Sequence, residues 1–132
     1  MLVDANIFLE FLLNQERAKE AVIFLNKILI GDINAYISSF TIDSVLLTLY
    51  RNKVKIEDMR IFLRKLLKSK GLKIYKLTMK DRFIALQYIE KYNLDYEDAI
   101  TLQSAISSGC KEIVSFDSDF DKIKEIKRIG PS

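Results

Sequence analysis

Apolar residues recur along most of this chain at spacings of three and four. Ile7, Phe8, Phe11 and Leu12 form one such set, and Ala21, Phe24, Leu25 and Ile28 a second. Ile61, Phe62 and Leu66 form a third, Phe83, Leu86 and Ile89 a fourth, and Ala99, Leu102, Ala105 and Ile106 a fifth. This is the spacing of one face of an α-helix, so each set predicts a helix with that face turned to the core. The run from Phe40 to Tyr50 is apolar on more than one side, which predicts a helix with greasy surface left over for a dimer interface.

Short β-rich runs separate these stretches: Leu2-Val3, Asn34 to Ser38, Leu72 to Lys76, Glu112 to Phe116 and Ile126 to Ile129. Gly31, Gly71 and Gly109 each follow an amphipathic stretch and shortly precede one of the runs, the position of a glycine just past a helix C-terminus. Thr78 and Asp81 have the spacing of a capping box, and Asp95 or Tyr96 opens the helix after it. Strands alternating with helices predict a parallel sheet covered on both faces. No repeat or linker interrupts the pattern, so residues 1–132 are expected to form one α/β domain.

Composition narrows the chemistry. With 49% hydrophobic and 30% charged residues, four Gly and one Pro, this is the balance of a folded chain. It contains no histidine, which excludes Ser-His-Asp and Cys-His catalysis, histidine-bound zinc and paired-histidine ribonuclease chemistry. Its one cysteine, Cys110, can form neither an internal disulfide nor a thiolate zinc site. Any hydrolysis must therefore run on carboxylates. Asp4 breaks the N-terminal apolar run, and no later stretch approaches the ~18 uncharged apolar residues of a membrane span. A cytoplasmic protein with no membrane association is the expectation. The net charge is only +3, but Arg51, Lys53, Lys55, Arg60, Arg64, Lys65, Lys68 and Lys70 crowd the middle of the chain. They form either a solvated helix face or a surface for a polyanion.

In an open parallel sheet the ligand crevice lies beyond the carboxyl ends of the strands. Asp4 directly follows Leu2-Val3, and Asp117 directly follows Ile113-Val114-Ser115-Phe116. Asp98 lies with Asp95 and Glu97 in the first turn of a helix, where acids also favour the helix dipole. Carboxylates converging on one rim repel one another unless a cation sits between them, and oxygen-only ligands suit Mg²⁺ or Mn²⁺. The run Asp117-Ser118-Asp119-Phe120-Asp121 does not make an EF-hand, because Lys122 stands where the turn needs Gly and Arg128 where the bidentate Glu belongs. It also has the Asp-x-Asp form of haloacid-dehalogenase-like phosphatases, although that motif sits on a first strand and this one lies on one of the last.

Taken together, these residues resemble a PIN domain, the family that includes the VapC-type toxins of toxin-antitoxin pairs. Leu2-Val3-Asp4-Ala5-Asn6-Ile7 is similar to its first motif, Asp98-Ala99-Ile100 with Ala105 to its acidic helix, and Val114-Ser115-Phe116-Asp117-Ser118-Asp119-Phe120 to its closing motif. The family usually carries a further acid as Glu on the helix after the second strand. Here Asp43 either fills that place with a shorter reach or leaves a three-acid site.

The resemblance implies a Rossmann-like three-layer α/β/α sandwich, a homodimer, metal-dependent cleavage of single-stranded RNA and, for the toxin branch, an antitoxin partner. Asp4, Asp98 and Asp117 would hold the first Mg²⁺ or Mn²⁺, with Asp43 a further candidate ligand. Asp119, with Asn6 or Ser115, would support a second ion or orient ligands. Two other functions compete with this one: a catalytically weak PIN-like module that binds RNA or protein, and a phosphatase with Asp117 as nucleophile.

Overall fold

The computed structural model describes residues 1–131. In chain order its elements are β1 (Leu2–Val3), α1 (Ala5–Leu12), α2 (Ala18–Ile30), β2 (Ala35–Ser38), α3 (Ser39–Arg51) and α4 (Ile56–Lys68). There follow β3 (Leu72–Tyr75), α5 (Met79–Tyr92), α6 (Tyr96–Ser107), β4 (Glu112–Val114), a 3-10 turn (Ser118–Lys122) and β5 (Lys127–Ile129). The strands form one sheet in the order β3-β2-β1-β4-β5, with every neighbouring pair parallel. The central strand, β1, is in register with β4, Leu2 to Ile113 and Val3 to Val114.

Alternation along the strands divides the core into two layers. Val3, Ala35, Ile37 and Val114 pack with apolar residues of α1, α2, α3 and α4. Leu2 and Ile113 point the other way and pack with Ala85, Ala99, Ile100, Leu102 and Ala105 of α5 and α6. The result is a three-layer α/β/α sandwich.

Local chemistry sets where the elements stop. Gly31 caps α2 in the left-handed conformation, φ 91°, and Gly109 follows α6 with φ 78°, as a residue just past a helix end should. Gly71 has a different role. α4 ends at an extended Ser69 cap, and a Cβ on Gly71 would lie 2.0 Å from the Ile33 carbonyl oxygen. Close approach of two backbones, not a helix terminus, keeps the side chain out.

The predicted apolar stripe of α5 is also corrected. Phe83 and Leu86 are 68% and 51% exposed, while α5 buries Asp81 and Ala85. In α3, Thr41, Val45 and Leu49 are buried, so its spare apolar surface reduces to Leu47 and Tyr50. The larger uncovered face therefore lies on α5, where Met79 is exposed beside Phe83 and Leu86.

Asp81 lies beneath that face. Its carboxylate accepts from Tyr75 OH at 2.5 Å, the Thr78 N–H at 3.0 Å, Ser107 Oγ at 2.6 Å and Gln103 Nε2 at 3.1 Å. Burial by itself would raise its pKa, but hydrogen bonds from Ser107, Tyr75, the Thr78 backbone and Gln103 outweigh this and hold the group well below the usual carboxylate range. The capping box read from Thr78 and Asp81 is present. It also ties β3 and α5 to α6.

Candidate metal centre

Asp4 ends β1 and begins α1. Its backbone is extended at φ −77°, ψ 156°, its N–H reaches the Val114 carbonyl of β4, and its Oδ1 accepts from the Ala5 N–H at 2.7 Å. A strand therefore turns into a helix at the acid itself, which leaves the carboxylate at the carboxyl edge of the sheet. It is only 7% exposed.

Ser115 holds this corner together. Its Oγ donates to Asp4 Oδ2 at 2.7 Å and accepts from Asn6 Nδ2 at 3.0 Å and from the Asp117 N–H at 3.0 Å. One donor and two lone pairs are thus all engaged. Asn6 completes the link by accepting from the Phe116 N–H at 3.3 Å.

Two further elements bring the remaining acids. Asp117 caps the 3-10 turn by accepting from the Asp119 N–H at 2.9 Å. Asp95 caps α6 by accepting from the Asp98 N–H at 2.8 Å, which fixes the first turn that carries Asp98. One carboxylate oxygen each from Asp98, Asp117 and Asp119 lies within 4.8 Å of the others. Asp4 is near enough that the charge of Asp117 acts on it and that it in turn acts on Asp98.

The electrostatics follow from burial first and from that crowding second. Burial, opposed by the bonds from Ser115 and Ala5 and reinforced by the charges of Asp117 and Glu97, pushes Asp4 up from 3.8 to about 6. Burial, with the charges of Asp95, Asp4, Asp117 and Asp119, pushes Asp98 up from 3.8 to about 7. No Lys or Arg side chain bonds to Asp4, Asp98, Asp117 or Asp119 among the described residues. Oxygen donors crowded with no cation bonded to them, Arg128 acting on Asp117 through its charge alone, fit a hard divalent ion such as Mg²⁺ or Mn²⁺.

A pH effect on stability is expected from these shifts. Both folded pKa values are raised, so the folded chain binds protons that the unfolded chain has released. The associated stability is present below 3.8 and is lost as pH rises through about 6 to 7. With no histidine in the chain, little else titrates in that window. In EDTA the protein should melt roughly 5 °C higher at pH 5 than at pH 7.5, and Mn²⁺ should remove the difference. Melting that is flat with pH in EDTA would show that burial and crowding do not raise these acids.

Of the acids singled out in the sequence, Asp98, Asp117 and Asp119 come together with Asp4 beside them. Asp43 lies on the exposed side of α3 and makes no side-chain hydrogen bond among the described residues. Glu97, read only as a helix-dipole acid, accepts a hydrogen bond from Ser44 Oγ of α3 at 2.7 Å. No local signal joins residues so far apart in sequence. Arg17, also unremarked, stacks over the Phe116 ring at 4.0 Å. Of the basic residues, Arg60 and Arg64 are engaged with Glu57 at 3.2 and 3.1 Å, and Lys53, Lys55, Lys68 and Lys70 are exposed. No helix of the described residues is long and apolar enough to cross a membrane.

A family model described as PIN domain matches residues 1–126. Among solved structures the chain is similar to Mycobacterium tuberculosis VapC20, described as a Sarcin-Ricin loop cleaving toxin, with a TM-score of 0.74 at 14% identity over 96% of this chain and 98% of that one. It is similar to VapBC2 from Rickettsia felis bound to a promoter DNA fragment, TM-score 0.71 at 16% identity, covering 99% and 98%. It is similar too to a toxin-antitoxin complex from Klebsiella pneumoniae, TM-score 0.69 at 20% identity, covering 99% and 97%. At these identities the likeness is one of fold. No curated protein matches.

Proposed function

The chain belongs to the PIN domain family, and on that premise we propose that it is a cytoplasmic, single-domain, Mg²⁺- or Mn²⁺-dependent endonuclease for single-stranded RNA, the toxin of a toxin-antitoxin pair. The observation that carries this reading is the convergence of Asp98, Asp117 and Asp119 within 4.8 Å beside a buried Asp4.

Asp4, Asp98 and Asp117 would hold the ion, with Asp119 at the outer edge. When bound, the ion supplies positive charge to the phosphate and lowers the pKa of a water. The chain's own residues prepare the place. Ser115 fixes the Asp4 carboxylate, Asn6 fixes Ser115 and the Phe116 backbone, and the Asp95 cap fixes Asp98. Because Asp98 is raised to about 7, it is partly protonated near neutral pH and would have to give up that proton to hold a divalent ion. Exposed lysines from Lys53 to Lys70 supply a basic surface for the RNA backbone.

The direct test is incubation of the purified protein with a structured RNA, in Mn²⁺ and then in EDTA. Cleavage in Mn²⁺ alone supports the nuclease. Binding without cleavage supports the PIN-like binding module, a reading favoured by the position of Asp43 on the exposed side of α3. Turnover of a small phosphate ester alone would return the phosphatase to consideration.

Two partners belong to the proposal. An antitoxin partner is supported by the toxin-antitoxin complex among the similar structures, and α4, with Leu67 80% exposed and Ile61 and Leu63 partly so, offers it an apolar surface. A homodimer is proposed through the α5 face of Met79, Phe83 and Leu86, with Tyr96 of α6 at its edge. Light scattering at micromolar concentration should give twice the mass of the chain, and Phe83→Glu should halve it. A parent that runs as a monomer would rule the dimer out.

A further inference from the structure

The helix that follows β2 brings its N-terminus up to that of α6. Phe40 and Tyr96 pack edge-on, with ring centroids 5.9 Å apart, which holds the two helix starts together. One turn further along α3, Ser44 Oγ reaches across and donates to Glu97 Oε1 at 2.7 Å. Glu97 adjoins Asp98, and its charge acts on the buried Asp4. Asp95 caps α6 and Asp98 shares the first turn with Glu97, and service to the helix dipole would not itself call for the bond from Ser44. Asp43, the acid that α3 itself carries here, is on its exposed side and makes no such bond.

We propose that Glu97, held by Ser44, is a fourth acid of the cation-binding cleft, so that α3 contributes a positioning hydroxyl and α6 the carboxylate. This rests on the metal-dependent reading of the cleft. Ser44 and Glu97 meet at hydrogen-bond distance, so a carboxylate on either helix can serve the same place. The serine holds a long, flexible side chain in one orientation, which lowers the entropy that ion capture would otherwise cost. It acts through Glu97 and is a positioning residue.

The test is Mn²⁺ binding by titration calorimetry, together with melting in EDTA, for the parent and for Asp4→Asn, Glu97→Gln, Ser44→Ala and the pair Ser44→Glu with Glu97→Gln. Glu97→Gln keeps the hydrogen bond from Ser44 and should weaken Mn²⁺ binding by about tenfold or more, with melting in EDTA unchanged or higher. Ser44→Ala should weaken it by a smaller factor, and the pair should recover most of the parent's affinity. A purely structural tie predicts unchanged affinity in both single variants, with lower melting in EDTA for Ser44→Ala, and that result overturns the inference. So does a loss of affinity in Asp43→Asn with Glu97→Gln unaffected, which would give the place to Asp43. If Asp4→Asn binds as poorly as expected while Glu97→Gln binds like the parent, only this inference falls. If the parent binds no Mn²⁺, the metal-dependent reading falls and takes this one with it.

Discussion

Asp4→Asn and Asp117→Asn are each expected to abolish Mn²⁺-dependent RNA cleavage, by a factor on the order of a hundred or more, while the chain stays folded. Asn is isosteric with Asp, and its carbonyl can still accept from Ser115 Oγ at position 4, at the loss of the Ala5 N–H bond to Oδ1, or cap the 3-10 turn at position 117. What it removes is charge. Asp4 is 7% exposed and its pKa is raised from 3.8 to about 6, so the ionised form is penalised by roughly 3 kcal/mol above pH 7. Asp4→Asn should therefore melt at or above the parent in EDTA at pH 7.5, and should gain less from Mn²⁺. A carboxylate kept for structure gives the opposite pattern, because neutralising it leaves its donors poorly matched. Variants that melt well below the parent in EDTA and still cut RNA would end the catalytic assignment.

Asp81→Asn should have the largest effect on stability with no direct effect on the cleft. Tyr75 OH and the Thr78 N–H converge on Oδ2, while Ser107 and Gln103 converge on Oδ1, so all four partners are donors. An amide offers one acceptor and sets its own N–H groups against the other pair, in which the hydroxyl can turn to accept but the N–H cannot. The expected cost is about 3 kcal/mol, a fall in melting temperature on the order of 10 °C. The Asp81 contribution is lost only as pH falls below 3.8 toward its depressed folded value, so it does not interfere with the pH effect of Asp4 and Asp98. Differential scanning calorimetry at pH 7 measures it, and a variant within about 2 °C of the parent would show that the network ties nothing.

The contrast between these acids shows what the sequence makes legible. Asp4 and Asp117 stand out because each closes a short apolar run, where a buried strand gives an acid little other reason to be. Asp98 is visible from its place in a motif and from the Asp95 cap beside it. Asp81 is legible as half of a capping box, but its burial is not, because Gln103 and Ser107 come from the next helix. The apolar stripe of α5 misleads for a related reason. Asp81 and Ala85 follow helical spacing as well as Met79, Phe83 and Leu86 do, and only the packing against α6 decides which side is covered. Gly71 likewise looks like a glycine at a helix end until the Ile33 carbonyl is seen beside it. The pairing of Ser44 with Glu97 depends on two helix starts meeting in space, and no window of sequence contains both.

The position of β1 in the sheet has a consequence for the timing of synthesis. It leaves the ribosome before the other strands of the sheet, yet it lies between β2 and β4, so one of its edges stays open until residues 112–114 emerge. Until then Asp4 has neither the Val114 carbonyl for its N–H nor the Ser115 hydroxyl for its carboxylate. Asp117 and Asp119 are made later still. A nascent chain long enough to have folded β2, β3 and their helices therefore carries no assembled cleft. Closing the sheet and completing the acid cluster are one event, brought about by the same few residues after Cys110.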